Sequence, residues 1–260
     1  MRIVLTIAGS DSMGGAGIQA DIKTISALGG HAVTVITAVT AQNSMKVDAV
    51  YTLSPEMIER QLDAILRDIR PDSVKVGMLG GGEIVRVVSA LIRKYDLKKV
   101  VVDPVLKAST GASLLEEKAI EALRAKLFPL AYVICPNVPE AETLCAMEVR
   151  GREGMAVAAR KLREMGPSVV VITGGHLRGE PFDFFWDGQK EVIIWGQRVH
   201  SKHDHGSGCV FSSALASYLA DGKEPLEATK LAQHFTRRAI MYGYECGKGR
   251  GAVNPFFARC

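Results

Sequence analysis

Six short runs rich in Val and Ile alternate with amphipathic segments along most of the chain, and that alternation restricts the fold more than any other feature. The runs are Ile3 to Ala8, His31 to Val39, Ser73 to Val76, Lys99 to Asp103, Ala131 to Cys135 and Val169 to Thr173. Continuous apolar runs of this length suit strands covered on both faces, and helices between them make βαβ units feeding a mostly parallel sheet. Helices are expected near Ala16 to Leu28, Glu83 to Tyr95, Glu117 to Leu127 and Gly154 to Met165. Another begins at Ser54-Pro55, where a cap and a first-turn proline precede Met57, Ile58, Leu62, Ile65 and Leu66 at helical spacing.

After Gly179 the pattern changes. Phe182 to Trp186, Glu191 to Trp195 and Arg198 to His200 read as short strands joined by glycine turns, which should extend one sheet edge in antiparallel fashion. Helices over Gly206 to Ala220 and Pro225 to Tyr242 follow. No proline-rich linker or repeat divides the 260 residues, so a single domain over 1–260 is expected.

The formal net charge of +4 is small and dispersed, which speaks against a nucleic-acid partner. No apolar stretch approaches the roughly 18 residues needed to cross a bilayer, and no signal peptide is recognisable. Cys135, Cys145, Cys209, Cys246 and Cys260 form an odd set without CxxC spacing, which suggests neither a zinc ribbon nor a disulfide framework. A cytoplasmic location is expected.

Two glycine-rich segments stand where α/β sheets hold ligands. In the first, Gly9 to Gly17, the spacing of Gly9 and Gly14 imitates a P-loop, but Gly15 occupies the lysine position. The relaxed dinucleotide fingerprint from Gly15 to Ala20 lacks an acid after the second strand, which argues against a dehydrogenase. A flexible turn that lets strand and helix pack closely is the plainer alternative. The second, Gly206-Ser207-Gly208-Cys209, opens an amphipathic helix, whose unpaired N–H groups and dipole suit a phosphate. The same field should lower the Cys209 thiol pKa and make it a better base, although a buried structural cysteine is the alternative. A third segment, Asn137 to Glu142, and Asp103 at the end of the preceding strand offer the hard oxygen ligands that Mg2+ prefers, or simply a helix cap and a turn acid. His200, His203, Asp204 and His205 could bind zinc, but a structural loop fits their spacing better.

Taken together, these segments resemble the ribokinase superfamily, and within it the hydroxymethylpyrimidine and phosphomethylpyrimidine kinases of thiamine biosynthesis. The resemblance runs nearly end to end through LTIAGSDSMGGAGIQADIKTISALG, VITAVTAQNS, VKVGMLG, VVDPV, PNVPEAE, TGGHL, HGSGC and GKGRGAVN. It implies a three-layer αβα sandwich with a mostly parallel sheet, ATP with Mg2+, a small pyrimidine as phosphoryl acceptor and a homodimer. It also implies that Ala16, Asp21, Gln42, Met78 and Val105 hold the pyrimidine, with Asp21 and Gln42 bonding ring nitrogen and amino groups. Gly206, Ser207, Gly208 and Cys209 would hold the transferring group, with Cys209 as base. Asn137, Glu140, Thr173 and Gly175 would serve the nucleotide, and Glu140 with Asp103 the metal. Thr173 stands where the family usually has lysine, Ser207 where threonine is usual, His203-Asp204 where Asn-Thr is typical, and Lys107 at a position that is usually apolar. A pyridoxal-type kinase, a non-catalytic pyrimidine sensor and a cysteine-nucleophile transferase are the competing readings.

Overall fold

The structure is a computed structural model that describes residues 1–106, 117–177 and 179–259. Lys107 and Cys260, both noted in the sequence, lie outside these residues.

Among the described residues nine strands form one sheet in the order β3-β2-β1-β4-β5-β6-β7-β8-β9. The strands are β1 (Ile3–Ser10), β2 (His31–Gln42), β3 (Val47–Thr52), β4 (Ser73–Val76), β5 (Val100–Val102), β6 (Val133–Ile134), β7 (Val169–Ile172), β8 (Phe182–Trp186) and β9 (Glu191–Trp195). From β2 to β7 all pairings are parallel, while β3 pairs antiparallel with β2, β8 with β7 and β9 with β8. The expected antiparallel edge after Gly179 is present as β8 and β9, and β3 adds a second one at the opposite side. The Arg198 to His200 run is not a strand.

The period of two along each strand sends alternate side chains to opposite faces, and two apolar cores result. Leu5, Ile7, Val74, Val76, Val100, Val102, Val170 and Ile172 meet α2 (Pro55–Leu66), α3 (Gly82–Lys94), α4 (Glu117–Ala122), α5 (Val138–Cys145) and α6 (Gly151–Glu164). Val4, Val101, Val133, Val169 and Val171 meet α1 (Gly17–Ala27), α7 (Ser207–Ala220) and α8 (Pro225–Met241) on the other face. In α3 the buried Ile84, Val85, Val88, Leu91 and Ile92 recur at helical spacing, and burying each such side chain contributes about 1.5–3 kcal/mol. The Ser54 hydroxyl accepts from the Met57 amide, with Pro55 in the first turn, so α2 starts where its sequence says. The result is the three-layer αβα sandwich.

Chain order along the sheet reverses between β1 and β4. There the βα connections leave toward opposite faces, and a crevice opens beyond the carboxyl ends of the strands.

Candidate active site

The crevice is shaped by two glycine loops that lock into each other. Leaving β1, the chain wraps around the Asp11 carboxylate, which accepts hydrogen bonds from the amides of Met13 (2.9 Å), Gly15 (3.0 Å) and Ala16 (2.8 Å). His205 Nε2, just before α7, lies 3.0 Å from the same carboxylate. Burial raises the Asp11 pKa, but His205 and the amides outweigh it and hold the carboxyl below its usual range. Gly206 follows with φ +88°, and a Cβ there would stand 1.8 Å from the Gly15 carbonyl oxygen. Gly17 mirrors it, since its φ is +55° and a Cβ would stand 2.3 Å from the Gly9 carbonyl oxygen. Only residues without a side chain permit this approach. The starts of α1 and α7 are thereby brought together.

A cavity of about 680 Å³ runs across these strand ends. Its lining follows the strand order. Gln42 at the end of β2, Ala16 after β1, Met78 after β4 and Val105 after β5 lie toward one end, and Asn137 and Glu140 after β6 and Thr173 and Gly175 after β7 toward the other. Asp103 and the Gly206-Ser207-Gly208-Cys209 helix start also line it. Every residue that the kinase resemblance assigns to the site borders this cavity except Asp21.

Asp21 requires a correction. Its side chain is fully buried in α1 and does not line the cavity. Both of its oxygens lie 2.9 Å from Lys75 Nζ, and they also accept from Thr6 Oγ1 (2.5 Å) and Ser213 Oγ (2.7 Å). With four bonds already made, this carboxylate has no spare valence for a pyrimidine ring. Lys75, which the sequence reading passed over, does border the cavity. Its signal was available: a lysine between Val74 and Val76 sits in a strand covered on both faces, where an unpaired charge is not tolerated. Burial disfavours the ammonium, yet the facing charge of Asp21, with Cys209 and Asp103 nearby, holds its pKa above the usual value. Asp11 and His205 were likewise missed as the pair that joins the two loops.

The expected lowering of the Cys209 pKa is also overturned. Burial pushes the thiol up to about 12, and Asp21 and Asp103 push the same way, while Lys75 and the Gly17 amide pull it down without prevailing. Desolvation of the sulfur outweighs the field of the helix start.

Asp103 and Glu140 are both buried carboxylates on the cavity wall. Asn137 and Glu140 form a capping box at the start of α5: Asn137 Oδ1 accepts from the Glu140 amide and Glu140 Oε2 from the Asn137 amide, each at 2.9 Å. Burial first, and then the charge of Asp103, push Glu140 up to about 8. Asp103 is raised by burial too, although Lys75 and the Ser212 hydroxyl at 2.9 Å oppose the rise. Two mutually repelling carboxylates on the wall of a cavity that the start of α7 also lines suit a hard divalent cation that keeps several waters and shares its ligands with a phosphate. No group of three or more His, Cys, Asp or Glu among the described residues forms a closed metal cage, and His200, His203 and His205 do not build one.

A doubly wound sheet with this strand-end crevice, a glycine-opened helix start and paired acids defines a ribokinase-like small-molecule phosphotransferase. The phosphomethylpyrimidine kinase family model matches residues 11–254, and the chain belongs to that family. It is 42% identical over 254 residues to the hydroxymethylpyrimidine/phosphomethylpyrimidine kinase of Bacillus subtilis, covering 97% of this chain and 94% of that protein. It is 43% identical over 256 residues to the thiamine biosynthesis bifunctional protein ThiED of Geobacter sulfurreducens, where it covers 98% of this chain but only 52% of the longer protein. Among solved structures, an ADP complex of Bacillus subtilis pyridoxal kinase superposes with a TM-score of 0.92 at 35% identity, covering 100% of this chain and 99% of that one.

Proposed function

We propose that the chain transfers the terminal phosphoryl group of ATP to hydroxymethylpyrimidine, to its monophosphate, or to both, in thiamine biosynthesis. The observation that carries this reading is one continuous cavity. Ring-sized apolar lining from Ala16, Met78 and Val105 lies toward one end, Asn137, Glu140, Thr173 and Gly175 toward the other, and the Gly206–Cys209 helix start shares it. The family membership of nearly the whole chain supports the same substrate class.

In this reading Gln42 selects the ring by hydrogen bonding, and Met78 and Val105 pack on its faces. The acceptor hydroxyl oxygen forms a bond to the terminal phosphorus as the bond to the ADP oxygen breaks, and ADP leaves with that electron pair. Cys209 takes the hydroxyl proton. It does so as the thiolate, which Lys75 and the Gly17 amide favour and burial opposes. The exposed amides at the start of α7 stabilise the charge on the transferring group. Asp103 and Glu140, through water, would hold Mg2+, which when bound neutralises phosphate oxygens.

A coupled assay with ATP and Mg2+, following hydroxymethylpyrimidine and its monophosphate separately by mass spectrometry, tests the proposal. Diphosphate formation establishes both steps, and monophosphate alone establishes one. Turnover of neither would sink it. Pyridoxal belongs in the same assay, because the likeness to Bacillus subtilis pyridoxal kinase extends over the whole chain.

A further inference from the structure

Among the described residues, the lysines and arginines lining the cavity are Lys75, Arg198, Arg237 and Arg250. Three of them are already committed. Lys75 is locked to Asp21. Arg250 grips Asp204 through two nitrogens. Arg198 spans three backbone carbonyls, those of Gly175, Leu177 and Gly179, and so fixes the segment that follows β7.

Arg237 differs. It stands on the face of α8 that also presents Gln233, Thr236 and Ile240 to the cavity. One terminal nitrogen donates to the Gln197 side chain, while Nε is enclosed and has no hydrogen-bond partner. With one terminal nitrogen on a neutral amide oxygen, the guanidinium keeps its full charge and further donors for a group carrying several anionic oxygens. Gln197 is followed directly by Arg198, which bonds the Gly175 carbonyl, so Arg237 belongs to the end of the cavity lined by Thr173 and Gly175. Thr173, Gly175 and Asn137 bring no positive charge there.

We propose that Arg237 binds the polyphosphate of the nucleotide, through a positive charge that Thr173, Gly175 and Asn137 do not supply. The assignment rests on the ATP reading given above. A nucleoside diphosphate or triphosphate offers the oxygens that the guanidinium lacks, whereas adenine offers no anion.

Calorimetric titration of the full chain with ADP and, separately, with adenosine tests it. Arg237→Gln should weaken ADP about tenfold or more, the size expected of a charge-assisted hydrogen bond, and leave adenosine unchanged. Arg237→Lys should keep a larger share of the ADP affinity than the glutamine variant. Thermal melting of both variants separates a binding effect from misfolding. Unchanged ADP affinity in Arg237→Gln would overturn the assignment, as would an equal loss for adenosine, which would move the residue to the base or ribose. Should the unaltered chain bind neither ADP nor ATP, the nucleotide reading itself fails and this inference goes with it.

Discussion

Lys75 Nζ lies 2.9 Å from both carboxylate oxygens of Asp21, and neither side chain is exposed to solvent. The pair ties β4 to α1 beneath the site, and Thr6 and Ser213 complete the carboxylate's hydrogen bonds from β1 and α7. It holds four elements of the fold around one charge.

Removing one partner of such a pair strands the other charge without water. Lys75→Met should therefore destabilise the fold by about 3–5 kcal/mol in urea titration, and Lys75→Met with Asp21→Asn should recover much of that loss. Asp21→Ala is expected to lose stability first, where the sequence pointed to weaker pyrimidine binding. An Asp21→Ala chain that melts normally but fails to hold the pyrimidine would contradict this.

The interlocked loops give a second expectation. Gly206→Ala would drive a Cβ into the Gly15 carbonyl at a backbone angle that alanine disfavours. The strain costs on the order of 1–3 kcal/mol, and shifting the helix start by even about 1 Å should lower kcat about a hundredfold. Steady-state rates and melting curves on Gly206→Ala check both. A variant with normal kcat would show that the contact does not position the anion site.

What the sequence revealed follows from where its information is local. The parallel strands, the Ser54-Pro55 start of α2 and the glycine loops each declare themselves within about ten residues. β3 did not, because Asp48 to Thr52 is exposed along its whole length and carries no alternation of polar and apolar residues. Helix α5 is only eight residues long, too short for a periodic signal, and Asn137 to Glu140 could be read either for its oxygens or as a helix cap. The Lys75–Asp21 pair joins positions 54 apart, and only packing of β4 against α1 and α7 brings them together. Desolvation of the half-buried Cys209 is likewise tertiary, which is why the local helix-start argument gave the other direction for its pKa.

Cys209→Ala should abolish turnover while leaving ligand binding largely intact, if the sulfur is the base. The same role predicts an unusual pH dependence. A thiol pushed up to about 12 is protonated at neutral pH, so its thiolate fraction grows as pH rises. With saturating Mg2+, kcat/KM for the pyrimidine should climb from pH 7 to 10 by close to tenfold per unit, without a plateau. A plateau below pH 8 would remove this thiolate from the mechanism.

If Glu140 helps to hold the metal, as proposed, it sets a separate pH dependence. With its pKa pushed up to about 8, the carboxyl of the free protein is mostly protonated at pH 7, and binding a divalent cation must displace that proton. Mg2+ activation should therefore weaken as pH falls below 8 and level off above it. Glu140→Gln keeps an oxygen able to accept from the Asn137 amide, so α5 should still start correctly while the titrating charge is gone. The expected outcome is a higher Mg2+ requirement that no longer changes between pH 6.5 and 8.5, read from activation curves at each pH, while Asp103 continues to supply the remaining charge. If the glutamine variant kept the pH dependence of the unaltered chain, the titrating group would have to be sought at Asp103 instead.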